Sequence, residues 1–237
     1  MKKCYFILCS LLLLVQESFA QTVDWVNYGG GINSDAIADV AIDVAGNVYV
    51  TGQLGNAASF NGTAVSGGIF AAKYDSIGNQ QWVIAYGDTN SFGKAICLDK
   101  AGNIYVSGWM DSSLQAGDTL LTTLGDRDML LMKFNPSGNL LWVKQFGGDK
   151  SDNAAKIICD ENDNLYLSGF FSSTAHIGNF EVNASGDYAD LFIARCDTAG
   201  NVLWVKTAGG TGEDHADCLA TDGIGNIYLT GNYTGTA

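Results

Sequence analysis

From Thr22 onward, apolar side chains come in short runs interrupted by Gly, Asn and Asp, and no long stretch recurs at the helical period of about 3.6 residues. The pattern predicts strands joined by tight turns. It is also repeated: DVAGNVYVTG at 43–52 returns as DKAGNIYVSG at 99–108, DENDNLYLSG at 160–169 and DGIGNIYLTG at 222–231. Four landmarks keep register: a tryptophan (Trp25, Trp82, Trp142, Trp204), the Asp opening the phrase (Asp43, Asp99, Asp160, Asp222), the Gly closing it (Gly52, Gly108, Gly169, Gly231) and a basic residue (Lys73, Lys133, Arg195). Trp to Asp is 17 or 18 residues, Asp to Gly is always 9 and basic residue to the next Trp is always 9, whereas Gly to basic residue runs 21, 25 and 26. Constant spacings mean fixed turns, and the one variable spacing means a surface connection.

Each unit reads as four strands. Strand A is the apolar stretch before the Asp, and strand B is the VYVTG type of segment. The turn between them is Gly46-Asn47, Gly102-Asn103, Asp163-Asn164 or Gly225-Asn226. Both Gly and Asn tolerate the positive φ of tight hairpins. Strand C follows the variable connection (IFAAKYD, MLLMKFN, LFIARCD), and strand D carries the Trp. Strands A to C are apolar on both faces, as at Val48-Tyr49-Val50 and Leu130-Leu131-Met132, so a lone sheet would leave half of its hydrophobes in water. Such sheets must be stacked between siblings. Modules of about 60 residues with four short strands packed face to face describe β-propeller blades. The expected fold is therefore all-β, with repeats at 26–82, 83–142 and 143–204 and an incomplete one at 205–237. The Trp of strand D is expected to cap the groove between adjacent blades. A parallel β-helix needs a shorter coil and an immunoglobulin-like array needs about 100 residues per unit, so both fit less well.

The N-terminus changes the picture of where the chain works. Lys2 and Lys3, an apolar stretch from Tyr5 to Val15 and small residues at Ser18 and Ala20 form a secretory signal over 1–20, followed by a repeat domain over 21–237. The apolar run is too short to span a bilayer, which needs about 20 residues, and no later segment is long and apolar enough. The exported chain holds 10 Lys and Arg against 24 Asp and Glu, a net charge of −14, which disfavours nucleic acid and anionic lipid as partners. Cys97, Cys159, Cys196 and Cys218 occupy non-equivalent repeat positions, so no disulfide pairing follows from sequence, and they read as small buried hydrophobes.

With these residues in view, the pattern D-x-x-G-N-x-Y-V-[TS]-G, then F-x-A-K-Y-D-x-x-G-N-x-x-W and Y-G-G, resembles the SBBP (seven-bladed beta-propeller) repeat of exported bacterial proteins, over residues 22–237. The resemblance implies a secreted or surface-attached propeller, often part of a larger protein, in a family whose members mostly lack an assigned activity. Departures stand at Asp163 in place of Gly, Arg195-Cys196 in place of Lys-Tyr, and Tyr86-Gly87-Asp88, which lacks the second Gly. One D strand at Trp25, three full modules and a final A–B pair are expected to form an incomplete ring, three full blades with partial blades at both ends, belonging to a longer propeller or to a C-terminally truncated product.

Candidate chemistry is sparse. Asp35, Asp152 and Asp214 recur ahead of strand A, and Asp128 and Asp190 recur before strand C, all on the side of the variable connections. Rings of carboxylates suit calcium, a hard cation taking oxygen ligands. The competing reading is that these Asp cap turns, and recurrence in several modules favours capping. Asp160-Glu161-Asn162-Asp163-Asn164 begins like a calcium loop, but Leu165 and Phe171 stand where its Gly and final Glu belong. Of two histidines, His215 adjoins Asp214, and strand neighbours point to opposite faces; Ser91-Phe92-Gly93-Lys94 fits a weak S-x-x-K pattern, so no catalytic residue is assigned. The Trp after Gly-Asn matches the docking Trp of quinone-dependent propeller dehydrogenases, yet their vicinal cysteines and calcium site are missing, so no cofactor is assigned. Sequons at Asn61, Asn183 and Asn232 read as exposed turns. The expected function is a secreted or cell-surface, non-catalytic binding scaffold, an adhesin being one form of it, that presents its variable B-to-C face to a protein or glycan. The alternative is an exported lyase or hydrolase working in the central channel.

Overall fold

The computed structural model describes residues 24–236 and is all-β. The first sheet is an antiparallel meander of β2 (Ala36–Ile42), β3 (Val48–Leu54), β6 (Gly68–Tyr74) and β7 (Gln80–Tyr86). The second repeats it with β8 (Ser91–Leu98), β9 (Ile104–Met110), β12 (Asp128–Phe134) and β13 (Leu140–Gly148), and the third with β14 (Asn153–Cys159), β15 (Leu165–Ser172), β18 (Ala189–Cys196) and β19 (Val202–Ala208). A two-stranded pair, β20 (Asp214–Thr221) and β21 (Ile227–Tyr233), carries the fourth copy of the phrase.

The recurring phrase has a local cause. Its opening Asp is a hydrogen-bond hub: Asp43 Oδ1 accepts from the N–H groups of Ala45 and Asn47, and Oδ2 accepts from Asn47 Nδ2 at 2.7 Å and from the Tyr49 hydroxyl at 3.1 Å. Asp99, Asp160 and Asp222 rebuild the same set with Asn103 and Tyr105, Asn164 and Tyr166, and Asn226 and Tyr228. Positive φ falls on Gly46, Gly102, Asp163 and Gly225, not on the Asn. The Asn is there for its amide, which ties the turn to the Asp, and Asp163 holds φ 60° without the freedom of a glycine. The closing Gly answers to a second device. Strand A has a β-bulge in every copy, between Ile37 and Asp39, Gly93 and Ala95, Ala154 and Lys156, and Ala216 and Cys218. There its backbone swings so close that a Cβ on Gly52, Gly108, Gly169 or Gly231 would lie within 1.9 Å of a carbonyl oxygen.

Packing follows from the period of two along a strand. Every residue of β12 is buried. Its Met129 and Leu131 pack into the third sheet with Ile157, Leu167 and Phe192, while Leu130 and Met132 pack into the first with Tyr49, Ile69 and Ala71. Each such side chain stabilises by about 1.5 to 3 kcal/mol, which only a face-to-face stack of sheets can collect from both sides of one strand. The tryptophans close these grooves. Trp82 Nε1 donates to Pro136 O at 3.2 Å and its ring covers Gly138 in the next sheet; Trp25 does the same to Ser76 O and Gly78, and Trp142 covers Gly200.

Four features differ from the sequence reading. The variable connections are hairpins rather than open loops: β4 (Ala58–Phe60) with β5 (Thr63–Val65), β10 (Leu114–Ala116) with β11 (Thr119–Leu121), and β16 (Thr174–Ile177) with β17 (Phe180–Asn183). The first and third hairpins also join the preceding module, β4 through β1 (Gly29–Gly30) and β16 through Gly147 and Gly148 of β13. The second pairs with no neighbour, because Asp88 stands where Gly148 allows Thr174 O within 1.9 Å of a would-be Cβ. Around Trp25 only Gly29–Gly30 is strand, since no strand C lies beside that segment among the described residues. Cys218 is exposed rather than buried, and Asn232 lies in β21 rather than in a variable loop. The signal over 1–20 lies outside the described residues. Among the described residues no helix is long and apolar enough to cross a membrane.

Candidate functional site

The two ends of the sheets are built differently. At one end lie the A-to-B and C-to-D turns, all clamped by the Asp hub or its C-to-D counterpart at Asp75, Asn135 and Asp197. At the other lie the hairpins of variable length and the D-to-A connections, and here the recurring carboxylates gather.

Asp35, Asp152 and Asp214 act as backbone clamps. Asp152 Oδ2 accepts from Gly148 N–H at 2.7 Å and Oδ1 from Ser172 N–H at 3.1 Å, so one side chain ties the D-to-A connection to the end of strand B. Asp35 does this with Gly31 and Gly55, and Asp214 with Gly210 and Thr234. Asp128 and Asp190 sit in the first turn-length of strand C with one oxygen satisfied. Asp128 Oδ2 accepts from Leu124 N–H at 2.6 Å and from Gln145 Nε2; Asp190 Oδ2 accepts from Ser185 N–H and Oγ, both at 2.8 Å. These contacts are capping rather than ligation, and among the described residues no group of three or more His, Cys, Asp and Glu could hold a metal ion. Burial pushes Asp152 up to about 7, against the pull of the Gly148 and Ser172 N–H groups and helped by the charges of Asp128 and Asp149. Burial raises Asp128 as well, partly offset by Leu124 N–H and Gln145.

Above this second-to-third junction opens a polar cleft of about 480 Å³ lined by Asp126, Lys150, Ser151, Ser172, Ser173, Gly186 and Asp187. It mixes carboxylates, an ammonium and hydroxyls, donors and acceptors in reach of one ligand. Ser173 is held at φ 59°, a backbone state that bulky side chains avoid. At its rim Arg127 donates to Asp111 at 2.6 Å and lies 3.8 Å over the Trp109 ring. Little in the sequence marked these residues, because they come from three separate connections of unequal length.

A second cleft, of about 450 Å³, lies where the bulged first strands converge. Ala38, Asp39, Phe92, Lys94, Ala155, Lys156, Asp217 and Cys218 line it, two from each of the four copies. Its charges are partly spent: Lys156 Nζ donates to Asp39 Oδ2 at 2.7 Å, which also accepts from Ile96 N–H, and Asp217 accepts from Asn232 Nδ2. Sequence reasoning missed Asp39 and Lys156 here and singled out Lys94 only as part of the S-x-x-K pattern. The bulges that bring them together could have been read from the Gly opposite them.

The remaining sequence candidates are not brought together. Ser91 is buried ahead of Lys94, which lies over the Phe92 ring in the inner cleft. His215 stacks on Phe170 at 4.2 Å while Asp214 is buried on the other side of the strand; His176 is exposed beside Glu181. Asp160 to Asn164 is a clamped hairpin at the constant end. Among the described residues Cys97, Cys159, Cys196 and Cys218 are free; burial pushes Cys159 and Cys196 up to about 12 and Cys97 well above its usual range, which removes thiolate chemistry near neutral pH at those three.

No protein-family model matches this chain. The chain is similar to an uncharacterised WD repeat-containing protein of Acanthamoeba polyphaga mimivirus, 23% identical over 185 residues, which are 65% of this chain and 13% of that protein. It therefore spans a small part of that relative's length. Among solved structures it resembles a protein of unknown function from Bacteroides caccae, with TM-score 0.43 and 13% identity, covering 82% of this chain and 70% of that one. Stacked four-stranded repeats and likeness to a WD repeat protein describe an all-β, propeller-like repeat fold.

Proposed function

We propose that this chain is a secreted or cell-surface propeller module that binds a protein or glycan without catalysis, through the end that carries its variable hairpins. The observation that carries the reading is the division of labour between the two ends. Every turn at the constant end repeats one clamp, whereas the other end varies in length and opens the polar cleft around Lys150, Ser172 and Asp187. Variation confined to one rim of a rigid scaffold is how repeat folds present binding surfaces. The leader-like residues 1–20 support export, and the acidic charge of the rest disfavours nucleic acid as a partner. Apolar side chains left exposed on β2 and β21, Val40, Ile42 and Tyr228, support packing against further repeats of a larger propeller.

The alternative, a lyase or hydrolase, rests on Lys94, Lys156, Asp39 and Asp217 in the inner cleft. It stands second because Lys156 is already neutralised by Asp39 and no histidine lines that cleft. The purified full chain, fluorescently labelled, should bind a subset of immobilised glycans or cell surfaces, and the Asp126→Ala/Asp187→Ala variant should bind at least about tenfold more weakly. An Ile77→Ala variant at the constant end should be unchanged. Equal binding by all three proteins, or none by any, would refute the reading; turnover lost on Lys94→Ala would favour the enzyme.

A further inference from the structure

The buried carboxyls between the second and third sheets form a pair that the capping contacts do not complete. Asp128 and Asp152 are both fully buried, yet Asp128 Oδ1 has no hydrogen-bond partner. That orphan oxygen and Asp152 Oδ2 flank the same point, lying 2.7 and 2.8 Å from where a side chain on Gly147 would begin. Two carboxylates that flank one point out of water repel each other and lack a countercharge.

The groups around them supply none. Asp149 on the D-to-A connection adds negative charge to Asp152. Lys150 and Asp126 face the cleft above, the Arg127 guanidinium is turned to Asp111, and His176, opposite Gly147 in the ladder, is exposed beside Glu181. Gln145 from β13 gives its amide to Asp128 Oδ2, leaving Oδ1 unserved. A cation fits poorly because the point between the oxygens is backed by the Gly147 backbone itself.

We propose that Asp128 and Asp152 together bind one proton in the folded protein, carried on Asp128 Oδ1 and donated toward Asp152 Oδ2. Nothing else need change: an orphaned acceptor becomes a donor, Asp152 keeps both N–H contacts, and the pair's charge falls from −2 to −1. The internal repeat supports this. The third-to-fourth junction has the same two carboxyls, Asp190 and Asp214, and there too Asp190 Oδ1 is buried without a partner. The first-to-second junction has Gly68 and Ser91 in their places, so at the three junctions with both strands described the two acids appear together or are absent together.

A proton held by the fold and not by the unfolded chain makes stability pH-dependent. With burial raising Asp152 to about 7, its contribution is full below the unfolded pKa and is lost as pH rises through the folded one. The junction that frames the polar cleft should therefore loosen between about pH 4 and 7.

The test compares the wild-type full chain with Asp128→Asn, whose amide copies the protonated acid as a donor to Asp152. Between pH 5 and 7.5 the wild-type folding constant, from urea titrations, should fall by at least about tenfold relative to the variant. An infrared spectrum of the wild type at pH 6 should contain a protonated-carboxyl band that the variant lacks. Parallel pH profiles, no such band, or a wild-type midpoint that shifts with calcium or potassium chloride rather than with pH would each overturn the proposal, the last by showing that a cation holds the pair. Should the variant not fold, the wild-type infrared spectrum at pH 6 and 8 decides alone. Glycan or cell binding plays no part in these readouts, so failure here leaves the functional reading standing, and the converse.

Discussion

The strands β9 and β21 carry almost the same sequence, NIYVSG and NIYLTG, and meet different fates. In β9, Tyr105 is fully buried, flanked by β8 and β12 and covered by Trp142 in its own sheet. In β21, Tyr228 is 57% exposed, because among the described residues β21 pairs only with β20. The local turn is nonetheless the same: Asp222 grips Asn226 as Asp99 grips Asn103. The hairpin is thus specified by its own residues, while burial is conferred by what is stacked against it.

Substitutions can break this comparison. The largest effect is expected from Tyr105→Ala, about 3 to 5 kcal/mol of lost stability in chemical denaturation, against at most about 0.5 kcal/mol for Tyr228→Ala. Equal losses would mean that the fourth copy is as well packed as the second. Trp142→Ala, which uncovers Gly200 and Tyr105, should cost about 2 to 3 kcal/mol. Next comes Asp99→Ala, which strands the buried Tyr105 hydroxyl and the Asn103 amide, at about 1 to 3 kcal/mol; Asp222→Ala, in the exposed copy, should do measurably less.

The smallest effect is in acid. Burial works against ionisation of Asp43 and Asp160, but hydrogen bonds from Asn47 and Asn164 outweigh it and hold both below 3.8. Their stabilisation is present above that value and fades as pH falls through the lower folded pKa, opposite in sign to the Asp128 and Asp152 pair. Amide exchange at Asn47 and Asn164 should therefore quicken only below about pH 4. Earlier quickening would show that the clamp depends on packing rather than on charge.

How much of this could be read beforehand depended on the range of the contacts. The A-to-B hairpin was legible because Asp43, Asn47 and Tyr49 are within six residues of each other, and the double-faced strands were legible because Leu130-Leu131-Met132 leaves no polar face. The hairpins inside the variable connections were not, since β16 is stabilised by pairing with Gly147 and Gly148 of the preceding sheet, a contact with no local signature. The lining of the polar cleft was equally hidden: Asp126, Lys150, Ser172 and Asp187 meet only once two sheets are stacked.

By itself the sequence determined the repeat, its turns and the need for each sheet to be covered on both sides, because those properties depend on backbone geometry and apolar periodicity over a few residues. Tertiary structure alone decided that Asp128 faces Asp152, that Lys156 reaches Asp39 from 117 residues away, and that Tyr228 stays in water while Tyr105 does not. Charge and burial at those sites are properties of neighbours that only stacking brings together.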